Sequence, residues 1–199
     1  MTVQPSLKLL AMLATAVPLL ASAANQTYVL DGYHSFPHFS INHLGMTTIT
    51  GRFDKMSGKV TLDMAAKTGS VDIKIATASV NTGDNKRENG ARSRDDHIKS
   101  ADFFNVAEFP EMVYKSTALH FTGDTLSSVD GNLTLLGVTK PVKLTVTSFK
   151  CGPHPFSKKP MCGADATALI KRTDFGMKFG VPAISDEVKV WFSMEAYPE

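Results

Sequence analysis

The common catalytic signatures are missing from this 199-residue chain. It has no G-x-S-x-G elbow, no H-E-x-x-H helix, no G-x-x-x-x-G-K-[ST] loop and no G-x-G-x-x-G turn, so serine-hydrolase, zincin, P-loop and dinucleotide chemistries have no anchor. No C-x-x-C pair is present, which removes the usual redox and thiolate-metal readings. No internal repeat, low-complexity tract or long linker divides the chain, and a single domain is expected. Charge of one sign is scarce too. With 21 Lys and Arg against 19 Asp and Glu, well interspersed, there is no basic surplus to neutralise phosphates, and nucleic acid is excluded as a partner. Beyond the amino terminus no long apolar run occurs, so no transmembrane helix is expected in the mature chain.

The amino terminus has the three parts of a secretory signal peptide: Lys8, the apolar run Leu9 to Leu20, and the small residues Ala21-Ser22-Ala23. The run holds 12 residues and Pro18, well short of the roughly 20 that a spanning helix needs. Residues 1–23 are therefore predicted to be cleaved. The mature domain, 24–199, keeps 199 less 23, or 176, residues, enough for a proper core, and is expected free in the periplasm. Cys151 and Cys162 are an even pair at close spacing in an oxidising compartment, which reads as a disulfide stapling a turn-rich hairpin loop. Closing so short a loop stabilises by roughly 3 kcal/mol through chain entropy.

What is present in quantity is alternation. Segments such as Val71-Asp72-Ile73-Lys74-Ile75 and Val142-Lys143-Leu144-Thr145-Val146 place apolar side chains on one face at period two, as half-buried strands do. Ten strands are predicted, near 26–33, 36–43, 48–53, 59–64, 70–77, 111–121, 125–135, 140–150, 163–171 and 187–196. Met56-Ser57-Gly58, Lys67-Thr68-Gly69, Thr122-Gly123-Asp124 and Asp130-Gly131 are expected where the backbone reverses or bulges. The fold class is all-β: an antiparallel barrel whose interior is the working part. One short helical segment is expected between Asn85 and Lys99, opened by a capping box at Asn85-Lys86-Arg87-Glu88 and acting as a cork or side cover.

Alternation also nominates the lining of a ligand tunnel: Phe39, Ile41, Phe53, Leu62, Val71, Ile73, Ile75, Leu133, Val142, Leu144, Val146, Val190, Phe192 and Met194, with Phe103 and Phe104 at a lipid-lined mouth. Basic character beside that mouth makes Arg94, His97, Lys99 and Arg172 candidates for contacting a polar head group. Two other classes of function compete. A secreted hydrolase or isomerase acting on a lipid-like substrate would use His97 with Asp95 or Asp96 as acid and base. A metal-binding protein would use His34, His38 and His43, which fall within ten residues of one another, although Pro37 disturbs a shared face. The simpler reading puts Asp95 and Asp96 on a solvated helix and makes Arg172 and Asp174 a structural ion pair.

An ordered set of motifs runs through the mature chain: Tyr28-Val29-Leu30-Asp31, His34-Ser35, His43-Leu44-Gly45, Arg94-Asp95-x-His97-Ile98-Lys99-Ser100-x-Asp102-Phe103-Phe104, Gly131-x-Leu133-Thr134-Leu135-x-Gly137-Val138-Thr139-Lys140-Pro141-Val142, and Arg172-x-Asp174-Phe175-Gly176. Together they resemble the YceI family of bacterial secreted proteins. That resemblance implies an extended lipocalin-like antiparallel β-barrel around an elongated apolar tunnel. It implies a long-chain isoprenoid as ligand, with quinone-like lipids or fatty amides as other cargo, and neither a cofactor nor a catalytic role. The Cys151–Cys162 loop and Pro37-His38 depart from the simplest members. An edge strand of a split barrel could pair two copies, so a homodimer is conceivable.

Overall fold

Alternation becomes sheet along most of the chain in a computed structural model, which describes residues 25–88 and 90–199. The predicted signal peptide, residues 1–23, lies outside the described residues. Eleven strands follow in order: β1 Gln26–Leu30, β2 Phe36–His43, β3 Thr47–Phe53, β4 Met56–Asp63, β5 Thr68–Ala76, β6 Val80–Asn81, β7 Glu111–Thr122, β8 Thr125–Leu135, β9 Val138–Pro153, β10 Pro160–Lys171 and β11 Ile184–Pro198. Among the described residues a single short α-helix, α1, spans Arg94–Lys99.

Eight of these strands close a barrel in the order β1-β4-β5-β7-β8-β9-β10-β11, the ring completed by β11 pairing with β1, and every pairing is antiparallel. β11 is long enough to serve two partners on one edge. Its first part, Ile184 to Ser193, pairs with β2, and its last part, Ala196 to Pro198, pairs with β1. At this fork the main chain is locked down. The Asp31 N–H donates to the Glu195 carbonyl at 2.8 Å, while the fully buried Ser35 hydroxyl accepts from the Glu195 N–H at 3.0 Å and donates to its carbonyl at 3.1 Å. The β2-β3 hairpin thus branches from the barrel and widens one end. Beyond β3 only β6 pairs, at Arg52 and Phe53, so the edge at Thr47–Gly51 has no strand partner among the described residues.

The two ends of the barrel differ in filling. At the end bearing the 123–124 turn and the β9–β10 loop, Leu62, Val71, Ile73, Leu126, Val129, Ala166 and Ala196 are all buried, and none of them lines the cavity at the other end. The Cys151–Cys162 disulfide joins directly opposed residues of β9 and β10 at this same end, as the cysteine spacing predicts.

Two local expectations need correction. Met56-Ser57-Gly58 is not a turn but the start of β4, whose Gly58 backs onto β5 so closely that a Cβ would lie 2.2 Å from the Asp72 carbonyl oxygen. Nor does a helix start at Asn85. It starts at Ser93, which accepts a hydrogen bond from the Asp96 N–H, because only there does a capping residue precede a buried helical face.

Candidate ligand-binding cavity

The other end of the barrel, between the β2-β3 branch and the segment carrying α1, holds a cavity of about 630 Å³. That lies within the usual range of ligand pockets, roughly 300–1,000 Å³. Its walls come from inward positions near the matching ends of β5, β7, β8, β9 and β11. Of the residues nominated from alternation, Phe39, Ile41, Phe53, Ile75, Leu133, Val142, Leu144, Val190 and Phe192 line it, as do Phe103 and Phe104 after α1. Leu62, Val71, Ile73, Val146 and Met194 do not line it. Val71, Ile73, Val146 and Met194 belong to, or pack against, the barrel core, and Leu62 is buried at the same end.

Tyr114 forms the floor between the two halves. Its hydroxyl donates its proton to the Val129 and Val142 carbonyls, each 3.1 Å away, so a polar group is buried without cost to the apolar wall. Burial pushes its phenol well above the ordinary tyrosine value. The ring fits because residue 131 is glycine: a Cβ there would stand 2.5 Å from it. Met112, Tyr114, Ile170, Met177 and Ile184 also line the cavity and were not nominated. For Met112 and Tyr114 the signal was available, since they alternate within a predicted strand.

The polar side of the cavity is cationic. Arg94, His97 and Arg172 line it together with Arg87 and Arg92, and among the described residues no aspartate or glutamate does; Lys99 lies outside it. Arg87 donates to Asp84, with Nη2 2.5 Å from Oδ2, and this contact holds the Asp84 carboxyl below its ordinary range. Arg94 stands 3.8 Å from the same carboxylate, and Arg92 stands 4.0 Å from Asp102. These carboxylates hold the arginines at their stations beside the cavity. Arg172 is differently employed. It is buried, and Nε, Nη1 and Nη2 donate to the carbonyls of Ser185, Met177, Phe179 and Ile184, pinning the loop before β11. Because residues 172–175 form a 3-10 turn, no ion pair joins Arg172 to Asp174 among the described residues. Asp186 instead accepts from Thr173, and those bonds hold its carboxyl below the ordinary carboxylate range.

The acid-base and metal candidates are redistributed. Asp95 is not solvated: it is 2% exposed, and one carboxylate oxygen accepts from the Thr82 N–H at 2.9 Å and the Thr82 hydroxyl at 2.6 Å. It anchors the cover segment to the strand end. Asp96 is exposed on the far side of α1, and His97 pairs with Asp102 instead, Nε2 to Oδ2 2.8 Å. Replacing Asp95 by alanine should therefore loosen the cover. Two orphaned Thr82 donors cost about 1–3 kcal/mol each, and hydrogen exchange should quicken at residues 82–97 before it does in the barrel. Unchanged exchange there would refute the anchoring role. The histidines scatter as well. His34 meets Asp31 and Glu195 on the outer wall, His38 stacks on Trp191 at 5.2 Å, and His43 is at the cavity rim, so the three form no shared ligand set. The His34–Asp31 contact, Nδ1 to Oδ2 2.7 Å, raises the imidazole's proton affinity and lowers that of the carboxyl.

Comparison with known proteins adds three findings. Protein YceI of Salmonella arizonae is 37% identical over 186 residues, 92% of this chain and 93% of that one. Two solved structures share the fold: BcnA of Burkholderia cenocepacia (TM-score 0.67, 24% identity, 83% of this chain and 98% of that one) and a polyisoprenoid binding domain of Saccharophagus degradans (TM-score 0.63, 22% identity, 87% and 99%). With the pattern of the YceI-like domain matching residues 28–196, essentially the whole described barrel, the chain belongs to that family.

Proposed function

We propose that the protein binds a long-chain isoprenoid or a related amphiphilic lipid, the tail in the cavity and an anionic head beside Arg87, Arg92 and Arg94. The observation that carries this reading is the cavity itself, apolar along its strands, lined by arginines on one side and, among the described residues, by no carboxylate. Each buried methylene contributes about 0.8 kcal/mol, so ten carbons offer about 8 kcal/mol before ordering costs. The polyisoprenoid binding domain of Saccharophagus degradans, alike in fold, supports the same class of cargo. Quinone-like lipids and fatty amides fit the tail but leave the arginines without an anion. The disulfide and the signal-like amino terminus support export to the periplasm, where such a protein would carry or sequester a water-insoluble chain.

Catalysis is the weaker reading, because Asp95 is committed to Thr82 and Asp96 lies away from His97. Turnover of the bound lipid, lost on His97→Ala, would reverse that order. The direct test is mass spectrometry of an organic extract of the protein from its native host. Changing both Arg92 and Arg94 to alanine should cut affinity for a phosphorylated isoprenoid by tenfold or more and leave the bare alcohol unaffected, each lost charge-assisted hydrogen bond being worth about 1.5–3 kcal/mol. An unchanged preference removes the head-group assignment.

A further inference from the structure

Two exposed apolar tips flank the cavity opening. His43 and Thr47 line the cavity and bracket the β2–β3 turn, where Leu44 is 52% and Met46 83% exposed. Met177 and Ile184 also line it and bracket the loop that exposes Phe179 at 44% and Val181 at 37%. The tips are joined, since the Leu44 N–H donates to the Ala183 carbonyl at 2.7 Å and Ile184 pairs with His43. Phe179 also touches the cover segment, its ring 5.0 Å from His97 and 5.3 Å from Phe103.

Leu44 is costly where it stands. Its φ is +59°, a left-handed conformation that asparagine or glycine adopts more cheaply, and an exposed leucine gains no core contact in return. Cations share this end: Arg87 and Arg92, paired with Asp84 and Asp102, line the cavity with nearly half of each side chain exposed, and Lys178 is exposed in the second tip between Met177 and Phe179. Apolar side chains at a tip with lysine and arginine behind them suit the boundary between acyl chains and anionic head groups.

We infer that this end of the barrel is a membrane-docking surface: Leu44, Met46, Phe179 and Val181 enter the head-group layer of an anionic phospholipid bilayer and set the cavity opening against it. The inference rests on the proposed lipid binding and supplies its route, because a tail can then pass from bilayer to cavity without crossing water. Outside this collar of four side chains the exposed large apolar residues, among those described, are Val29, Tyr33, Met64, Leu169 and Phe156, the last 91% exposed on the β9–β10 loop at the opposite end.

Flotation of the purified protein with vesicles of phosphatidylglycerol and phosphatidylethanolamine tests this, with phosphatidylcholine vesicles as comparison. The protein should float with the anionic vesicles and less with phosphatidylcholine. The double variant Leu44→Ser, Met46→Ser should lower partitioning by about tenfold or more, given the apolar area removed. Phe156→Ser should leave it unchanged. Circular dichroism checks the fold, and lipid extracted from the same samples separates the two readings, because neither substitution lines the cavity and cargo should be retained. Failure of the unmodified protein to float overturns docking whatever the cargo result. So does equal flotation of the double variant, or a loss caused equally by Phe156→Ser. If sedimentation shows the collar joining two copies that the double variant separates, with no vesicle binding, the surface belongs to a second copy and docking is overturned.

Discussion

Leu133→Trp should strip the protein of its cargo while leaving it folded. Leu133 points inward from β8, opposite Tyr114, yet is only partly buried, and what it is exposed to is the cavity. An indole there enters empty space. In a filled core such overpacking costs about 1–3 kcal/mol through displaced neighbours, but a void of about 630 Å³ takes up the ring without displacing them. The tail pays instead: excluding even two methylenes removes about 1.6 kcal/mol of burial, more than a tenfold loss of affinity. The check is lipid extracted per mole of protein, beside a thermal melt. Lipid at the unmodified stoichiometry would show that cargo sits elsewhere.

Period-two alternation placed ten of the eleven strands because half-buried strands write their two faces into neighbouring residues. The remaining strand, β6, is two residues long and too short to alternate. Which strands neighbour each other is not written that way. β11 serves β2 along its first part and β1 along its last, and nothing in Val188-Lys189-Val190 distinguishes one partner from the other. The fork depends on Ser35 reaching the Glu195 main chain 160 residues away, a contact with no local signature.

The site was legible to the same depth and no further. Val71, Ile73 and Ile75 share one face of β5, and only Ile75 reaches the cavity. The difference is depth along the barrel, which alternation does not encode. Arg87 and Arg92 sit in irregular chain, where no period shows which way a side chain points, and their stations are set by Asp84 and Asp102. Asp95 looked solvated beside Asp96 because the partner that buries it, Thr82, lies 13 residues back beyond a non-helical stretch.

Ile73→Ala should do the reverse of Leu133→Trp, costing stability and sparing the cargo. Ile73 is 1% exposed, set on β5 between Gly58 of β4 and Tyr114 of β7, and does not line the cavity. Truncation there leaves a cavity that its neighbours cannot readily close, because the sheet fixes the strands on both sides. Buried isoleucine-to-alanine changes cost about 2–5 kcal/mol, read as a lower urea midpoint at unchanged slope. Below the new transition, bound lipid per folded molecule should equal that of the unmodified protein, because Ile73 does not line the cavity. A mild melt or a proportional loss of lipid would mean that the two ends act as one. Opposite outcomes from the two substitutions would show why the chain needs a filled half: an empty one forfeits dispersion contacts along its whole lining, and the packed end, with its disulfide across β9 and β10, offsets them.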